Sequence, residues 1–220
     1  MSARVFFLPG ASGAGRFWEP VADLLPSTLD KVLFDWPGLG DIPVDPSVRS
    51  FDDLTDLVVR KIQGPVDLVA QSMGGLVAVK TALARPDFVR RLVLVATSGG
   101  IDLRPFDVAD WRTEYRAEHP TAAAFVTEEQ HPDLSDQVST IQAPTLLLWA
   151  AGDTISPPAV GEYLASRFVH ARLVVLEHDD HMFARDHAAE VAPLIAEHLG
   201  RWDRGPSEKL DQTGSGRLLQ

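Results

Sequence analysis

The sequence predicts an α/β domain of three layers, in which helices cover both faces of a six-stranded, mainly parallel sheet. Six short apolar runs do not alternate with polar residues, which is typical of strands buried on both faces. Helical patterns lie between most of these runs, and strands that alternate with helices build parallel sheets through right-handed crossovers. The chain has 220 residues, of which 45% are hydrophobic and 23% charged, as expected for one globular domain.

The predicted strands are rich in Val, Leu and Phe. They cover Val5–Leu8, Lys31–Asp35, Val66–Ala70, Leu92–Ala96, Thr145–Ala150 and Leu173–Leu176. Since parallel strands are joined by crossovers, their carboxyl ends are expected at one edge of the sheet.

Five helices are predicted between and after these strands. They cover Trp18–Leu25, Ser50–Ile62, Gly74–Arg85 and Pro158–Phe168, and a last helix has an apolar stripe from Val191 to Trp202. In the second helix Ser50 is the expected N-cap, because an acidic residue, Asp53, follows three positions later.

The connection between the fourth and fifth strands, Ser98–Ala143, is about three times as long as a usual crossover. It contains four aromatic residues on expected short helices: Phe106, Trp111, Tyr115 and Phe125. A long insertion in a regular α/β domain is often a lid or a binding segment, so we expect a lid over about residues 99–143. The alternative is a peripheral pair of helices that packs its own aromatic side chains.

The charge and the composition exclude several classes of protein. The formal net charge of −11 argues against nucleic acid or an anionic membrane as a partner. No apolar run approaches the ~20 residues of a membrane span. The apolar run near the N-terminus is shorter than the ~7–15 residues of a signal-peptide core, so the cytoplasm is the expected location. Without cysteine, there is neither a disulfide framework nor thiolate chemistry.

One domain is expected over residues 1–203, and a flexible tail over residues 204–220. The tail, "RGPSEKLDQTGSGRLLQ", lacks apolar periodicity and carries glycines.

The clearest chemical signal is the stretch "VDLVAQSMGG", residues 66–75, which predicts an abrupt strand-to-helix turn. It matches the nucleophile elbow pattern G-x-S-x-G around Ser72, with Ala70 in place of the first glycine. Small residues are needed because the tight turn brings the two backbones together. Ser72 is then expected at the carboxyl edge of the sheet and at a helix N-terminus, which favours negative charge. The alternative is a serine that only caps the helix.

A nucleophilic serine needs a base, and the base needs an orienting group. The expected chain order on such a sheet is Ser, acid, His. Asp153 comes just beyond the fifth strand, and His181 comes a few residues beyond the sixth. Three residues of the right types therefore follow three strands in the right order, which predicts a catalytic triad.

Each loop offers other candidates. His178 also follows the sixth strand, but it comes almost directly after the strand and has a shorter reach. Asp179 and Asp180 are chain neighbours of His181 and are poorly placed to reach behind its ring. The loop after the fourth strand, "ATSGG", contains no carboxylate, so Asp153 is the expected acid.

An oxyanion hole needs two N–H donors. One is the amide after the nucleophile, that of Met73. The other is expected from the loop after the first strand, "LPGASGAGRFW", at Ala11. If the first strand is central, the gap between the first and third strands is the topological switch point at which open α/β sheets bind ligands.

With these residues in place, the chain resembles the α/β-hydrolase family over about residues 3–200. The supporting segments beside the elbow are "LPGASGAGRFW", "FDWPGLGD", "PDFVRRLVLV", "AGDTISPP" and "DDHMF". The resemblance implies a serine esterase-like site with these roles: Ser72 as nucleophile, His181 as general base, Asp153 as orienting acid, and Met73 and Ala11 as oxyanion donors. It also implies a lid after the fourth strand.

The chain departs from the family pattern in two places. Many family members carry His-Gly where this chain has Pro9–Gly10. This difference lies in the loop that is expected to supply the second oxyanion donor. By this resemblance, the first predicted strand is expected to correspond to the third strand of the full family sheet. The expectation is a minimal six-stranded core with a small lid.

Parts of the sequence are also compatible with three other classes of function. "GASGAG" followed by Asp35 is similar to a dinucleotide site, but the spacing is G-x-x-G-x-G rather than G-x-G-x-x-G. "HDDH", residues 178–181, contains metal-ligand residue types, yet adjacent residues rarely converge on one ion. A hydrolase-like fold used as a non-catalytic ligand-binding module is the third class, because fold does not fix function.

The expected function is a serine hydrolase that cleaves a small or medium carboxylic ester or thioester through an acyl-enzyme, without metal or cofactor. C–C bond hydrolysis and cofactor-free lyase or perhydrolase chemistry use the same layout and stay open. Six side chains are expected to line an apolar pocket: Phe17, Trp18, Trp36, Trp111, Trp149 and Met182. For most of them, ordinary packing in the core or lid is the alternative.

Overall fold

A computed structural model describes residues 4–128 and 133–200 of the chain. Those residues form one six-stranded sheet, with every strand parallel to its neighbours and the strand order β2-β1-β3-β4-β5-β6. The strands are β1 Arg4–Leu8, β2 Asp30–Leu33, β3 Val66–Gln71, β4 Val89–Val95, β5 Thr145–Ala150 and β6 Ala171–Leu176. The predicted α/β class is confirmed, with the first strand lying inside the sheet between β2 and β3.

Helices connect the strands. They are α1 Glu19–Leu24, α2 Phe51–Lys61, α3 Met73–Ala84, α4 Arg112–Glu118, α5 Phe125–Glu128, α6 Ser135–Val138, α7 Pro158–Arg167, α8 Phe183–Asp186 and α9 Ala188–Gly200. A 3₁₀ turn, Gly15–Trp18, precedes α1, so the helix expected from Trp18 begins one residue later. None of the helices in the described ranges has the length and apolar character needed to cross a membrane.

Two apolar clusters, one on each face of the sheet, make the three layers. The first contains residues of α2, α3 and α7 packed on side chains such as Phe6 and Leu68. The second contains residues of α1, α8 and α9 packed on Phe7 and Val69. Neighbouring strand residues thus point to opposite faces, and both faces are buried, which explains the unbroken apolar runs.

Three strand boundaries differ from the sequence prediction by two residues or more. The strand β4 begins at Val89 and not at Leu92 as predicted. The charged Arg91 can lie buried within this strand because its guanidinium donates a hydrogen bond to Asp67 on β3 at 3.2 Å. Burial raises the pKa of Asp67, and the two adjacent guanidinium groups, of Arg90 and Arg91, oppose that shift. The strand β6 also starts earlier than predicted, at Ala171, and its half-exposed residues reflect its place at the sheet edge. The strand β2 ends at Leu33 rather than Asp35.

The expected N-cap of α2 is confirmed. Ser50 has an extended backbone, and its hydroxyl oxygen accepts a hydrogen bond from the amide of Asp53 at 3.1 Å. The Asp53 carboxylate in turn accepts from the Ser50 hydroxyl and from the amide of Arg49, the residue before the cap, both at 2.9 Å. This arrangement is similar to a capping box. At the other end of the chain, Trp202 and the expected tail over residues 204–220 lie outside the described residues.

The insertion after β4 carries α4, α5 and α6. Tyr115 lies in α4 and Phe125 starts α5, and both are buried. Phe106 is not helical; it lies in a turn, with its ring centroid 5.8 Å from that of Tyr163 on α7. The segment therefore packs onto the first apolar cluster.

Candidate active site

Ser72 occupies the sharp turn between β3 and α3. Its backbone has φ 52° and ψ −127°, a strained combination for a residue with a side chain. The turn is held close to the end of β1, since a Cβ atom on Gly74 would meet the carbonyl oxygen of Leu8 at 2.6 Å. This crowding is the physical reason for a glycine there, and it leaves the Ser72 side chain at the carboxyl edge of the sheet.

The strained turn is fixed by hydrogen bonds from both sides of Ser72. Its amide donates to the carbonyl oxygen of Val95 on β4 at 2.9 Å. Its carbonyl oxygen accepts from the hydroxyl of Thr97 at 2.5 Å, and Thr97 is 1% exposed. The same hydroxyl oxygen accepts from the amide of Gly99 at 3.0 Å. Thr97 thus links the loop after β4 to the backbone of the elbow.

Three side chains at this edge are hydrogen-bonded in series. Ser72 Oγ lies 2.9 Å from His181 Nε2, and His181 Nδ1 lies 2.7 Å from Asp153 Oδ2. The other carboxylate oxygen of Asp153 accepts from the amides of Ile155 and Ser156 at 2.9 and 3.0 Å. Asp153 is 2% exposed, so both of its oxygens are occupied in a site shielded from solvent. The three residues predicted from the sequence are brought together.

The sheet register explains how these loops meet. Ala150 at the end of β5 pairs with Leu176 at the end of β6, so the loops that carry Asp153 and His181 start side by side. The strand β4 lies between them and β3, and the His181 loop crosses its end to reach Ser72. The buried Gln71 secures this crossing, because its side-chain amide donates to the carbonyl oxygen of His181 at 3.3 Å.

The other candidate base and acids, His178, Asp179 and Asp180, contact other parts of the structure. His178 Nε2 lies 2.9 Å from Glu190 Oε2 on α9, and its ring stacks on His187 with a centroid distance of 3.7 Å. Asp180 accepts from the amide of Met182 at 2.8 Å. The carboxylate of Asp179 lies beside Gly152, at the start of the loop that carries Asp153. Asp153 is the carboxylate that contacts the ring of His181.

The two expected oxyanion donors flank Ser72. Met73 follows it directly, and the loop that carries Ala11 approaches so closely that a Cβ atom on Gly10 would lie 3.0 Å from the Cβ of Ser72. Neither the Met73 nor the Ala11 amide donates a hydrogen bond to another residue in the described parts of the chain. An oxyanion hole needs such free donors.

The loop after β1 is also held by the insertion after β4. The hydroxyl of Tyr115 on α4 donates to the carbonyl oxygen of Ala11 at 2.9 Å and accepts from the amide of Gly40 at 3.1 Å. Burial raises the pKa of Tyr115, so the hydroxyl keeps its proton across the neutral range. No sequence pattern predicts this contact, because it joins residues 104 positions apart.

A cleft of about 80 Å³ opens beside Ser72 and His181. Its apolar lining includes Phe51, Leu76, Leu103, Trp111, Val126 and Ile155. Three of these come from residues 99–143, the segment expected to form a lid. The cleft therefore lies between the carboxyl edge of the sheet and the insertion after β4.

Of the six expected pocket residues, Trp111 lines the cleft and the other five do not. Trp18 and Trp36 are fully buried in the core, where their indole N–H groups donate to the carbonyl oxygens of Leu8 and Pro9 at 3.1 and 2.7 Å. The pocket assignment was wrong for them because the polar edge of each indole anchors the base of the loop after β1 rather than facing the cleft.

The remaining three also belong to packed layers. Phe17 stacks edge-on against Trp18 at 5.1 Å. Trp149 is fully buried, and its indole N–H donates to the hydroxyl of Ser156, which lies on the Asp153 loop. Met182 packs beside the cluster formed by α1, α8 and α9. Four of the five expected aromatic side chains thus lie in packed layers, and one lines the cleft.

The residues that resemble a dinucleotide site are hydrogen-bonded to each other. The carboxylate of Asp35 accepts a hydrogen bond from the amide of Gly15 at 2.7 Å, so the acid after β2 binds the glycine loop itself. The two parts of the apparent fingerprint satisfy each other within the fold.

A parallel sheet with a serine on a strained elbow and an imidazole and a carboxylate behind it has the architecture of the α/β class of hydrolases. The model of the alpha/beta hydrolase family matches residues 5–139. That match spans more than half of the chain, and the chain belongs to this family.

Relatives in sequence are hydrolases. A pimeloyl-[acyl-carrier protein] methyl ester esterase from Neisseria meningitidis serogroup B (strain H44/76) is 28% identical over 242 residues, covering 89% of this chain and 92% of the relative. A 2-hydroxy-6-oxononadienedioate/2-hydroxy-6-oxononatrienedioate hydrolase from Paraburkholderia phymatum is 26% identical, covering 88% of this chain and 84% of the relative.

Solved structures share the fold. A thermophilic esterase from Thermogutta terrifontis superposes with a TM-score of 0.75 at 21% identity, covering 90% of this chain and 89% of that one. A hydrolase from Pseudomonas aeruginosa PA01 superposes with a TM-score of 0.76 at 20% identity, covering 90% of both chains.

Proposed function

We propose that the protein is a serine hydrolase that cleaves a small or medium carboxylic ester or thioester through an acyl-enzyme. The observation that carries this proposal is the continuous hydrogen-bond chain from Ser72 Oγ through the His181 ring to Asp153. A serine hydroxyl is a weak nucleophile until a base takes its proton, and a base acts well only when its tautomer is fixed.

The first half of the reaction acylates the serine. His181 Nε2 accepts the proton of Ser72 Oγ as Oγ attacks the acyl carbon, while Asp153 stabilises the imidazolium through Nδ1–H. The amides of Met73 and Ala11 donate to the oxyanion, and each such donor is worth roughly a hundred- to a thousandfold in rate. His181 then gives its proton to the departing alcohol or thiol.

The second half releases the acid. A water molecule takes the place of the leaving group, and His181 removes its proton as the water oxygen attacks the acyl carbon. Collapse of the second oxyanion breaks the bond to Ser72 Oγ, which regains its proton from His181. Every proton is carried by one imidazole, so the proposal requires no metal or cofactor.

The cleft supports a substrate of modest size. Its volume of about 80 Å³ and its apolar walls suit a short acyl chain. The Neisseria relative is named for hydrolysis of a methyl ester, which favours ester cleavage here.

C–C bond hydrolysis is the second candidate. The Paraburkholderia relative is named for hydrolysis of a substrate whose name contains no ester group. The same serine, base and oxyanion donors could serve that reaction, since a ketone carbonyl also forms a tetrahedral oxyanion. Cofactor-free lyase or perhydrolase chemistry and a non-catalytic binding role have no observation here that favours them.

The proposal is tested with p-nitrophenyl acetate and a panel of longer esters, thioesters and a vinylogous 1,5-diketone. Ser72→Ala and His181→Ala are each expected to abolish turnover while circular dichroism shows a folded protein. His178→Ala, whose ring faces α9, serves as the matched control and should retain most activity. Turnover that survives in Ser72→Ala would overturn the proposal, and preference for the diketone would select the second candidate.

A further inference from the structure

The cleft beside Ser72 contains one feature that ester cleavage does not require. Among the described residues that line it, Arg112 is the only one with a permanently charged side chain. Arg112 is the first residue of α4 and directly follows Trp111, which also lines the cleft. Arg112 is exposed, so its guanidinium is free of the core and can bind an anion that enters the cleft.

Within the described ranges Arg112 forms no direct ion pair. Its charge acts on Asp110, but the pKa of that carboxyl is lowered chiefly by hydrogen bonds from the Thr113 hydroxyl and the Arg112 amide. The guanidinium carbon of Arg112 lies over the ring of Trp111, 5.1 Å from its centroid, and no carboxylate of the described residues lies within 4.0 Å of its nitrogen atoms. The nearby Asp110 accepts hydrogen bonds from the Arg112 backbone amide at 3.0 Å and from the Thr113 hydroxyl at 2.8 Å. Its oxygens are therefore directed at the start of α4.

Two other arginines of the insertion after β4 have hydrogen-bond partners within the protein. The Arg104 guanidinium forms an ion pair with Asp102 at 2.7 Å. Arg116, one turn after Arg112 on α4, donates to the hydroxyl oxygen of Thr127 at 2.9 Å. Among the described residues, Arg112 therefore combines a place in the lining of the cleft with a guanidinium that forms no ion pair.

The geometry points to an anion subsite. We propose that Arg112 binds a carboxylate on the substrate, away from the bond that is cleaved, so that the preferred substrates are anionic esters or thioesters. Stacking on Trp111 limits the motion of the guanidinium, and its planar fork matches a carboxylate with two parallel hydrogen bonds. This inference rests on the proposed function, because it names the substrate class of the same site.

The test compares two esters that differ only in the charge at the far end of the acyl chain. Mono-p-nitrophenyl adipate carries a terminal carboxylate, and its terminal amide has nearly the same shape without the charge. A second pair, hexanoyl esters of 4-hydroxybenzoate and of 4-hydroxybenzamide, places the charge on the leaving group. The measured quantity is the ratio of kcat/KM for the charged ester to that for the neutral ester.

Arg112→Gln is expected to lower this ratio about tenfold for one of the two pairs, and the affected pair tells on which side of the scissile bond the anion lies. Arg112→Lys should keep an intermediate ratio, since it retains the charge but not the fork. Arg116→Gln is the matched control on the same helix and should keep the wild-type ratio. Because Arg112 is exposed, its replacement should leave the fold intact.

The outcomes separate this inference from the proposed function. If the wild-type enzyme hydrolyses the esters and Arg112→Gln leaves both ratios unchanged, the anion subsite is wrong and the serine hydrolase stands. If the wild-type enzyme hydrolyses none of the four esters, the proposed function itself fails.

Discussion

The Nδ1 atom of His181 lies 2.7 Å from Oδ2 of Asp153, and the carboxylate is buried and held by two backbone amides. Asp153→Asn would replace the acceptor that fixes the imidazole tautomer with a group that can also donate. We expect kcat for p-nitrophenyl acetate to fall by about 10³–10⁴-fold with the fold retained. Steady-state kinetics and circular dichroism measure the two effects.

The matched control for this change is Asp179→Asn in the neighbouring loop. Asp179 lies beside Gly152 and is not bonded to the His181 ring in the structure. Its replacement should change kcat only slightly. A larger loss in Asp179→Asn than in Asp153→Asn would mean that the acid has been misassigned.

Gly74→Ala should destabilise the protein strongly. The added Cβ atom would collide with the carbonyl oxygens of Pro9 and Leu8, which belong to the end of β1 and the loop after it. Backbone atoms cannot turn aside as a flexible side chain can, so we expect a loss of unfolding free energy of about 2–3 kcal/mol or more, measured by urea denaturation.

Gly64→Ala is the corresponding control, since a Cβ atom there meets nothing within 4 Å. Its unfolding free energy should stay within about 0.5 kcal/mol of wild type. Equal losses of unfolding free energy in Gly74→Ala and Gly64→Ala would contradict the close packing of the elbow against the end of β1.

Tyr115→Phe tests whether the insertion after β4 positions the loop after β1. It removes the hydrogen bond to the Ala11 carbonyl and leaves the Gly40 amide without its acceptor. A shift of the Ala11 amide weakens the oxyanion hole alone, so kcat should fall about tenfold while KM for a short ester stays the same. The control is Tyr163→Phe, which changes an exposed residue of α7 and should leave both kcat and KM unchanged. A rise in KM without a change in kcat would contradict the positioning role.

The same tyrosine predicts a dependence of stability on alkaline pH. Burial raises the pKa of Tyr115 above its usual value near 10, so the folded protein keeps this proton at pH values where the unfolded chain has lost it. Its contribution to stability is therefore complete below pH ~10 and decreases as the pH rises, by at most about 1.4 kcal/mol per pH unit. Measured by urea unfolding from pH 9 to 11, the unfolding free energy should fall more steeply in wild type than in Tyr115→Phe. Parallel curves for the two proteins would refute this role of Tyr115.

The topology and the triad could be predicted from the sequence because both depend on local patterns. Buried parallel strands give unbroken apolar runs, and each predicted catalytic residue follows such a run at its carboxyl end. Ser72 has a further mark, the small residues of the elbow. Asp153 and His181 were chosen by chain order, and the sheet register then brings their loops together.

The contacts that position the site could not be predicted in this way. The role of Thr97 in the loop "ATSGG" could not be predicted, because its hydroxyl binds the backbone carbonyl oxygen of Ser72 and no side-chain motif indicates such a bond. Trp36 was assigned to the pocket by residue type, yet its indole anchors Pro9. Such contacts join positions far apart in the chain, and residue type alone does not tell which way a side chain turns.

Labelling with a serine-directed fluorophosphonate tests the central claim most directly. An activated serine attacks the phosphorus atom, and mass spectrometry of the digested protein identifies the modified residue. We predict one label per chain, on Ser72, with labelling absent in Ser72→Ala and slowed more than about a hundredfold in His181→Ala. A wild-type protein that stays unlabelled, or that labels equally fast without the His181 ring, would contradict the account.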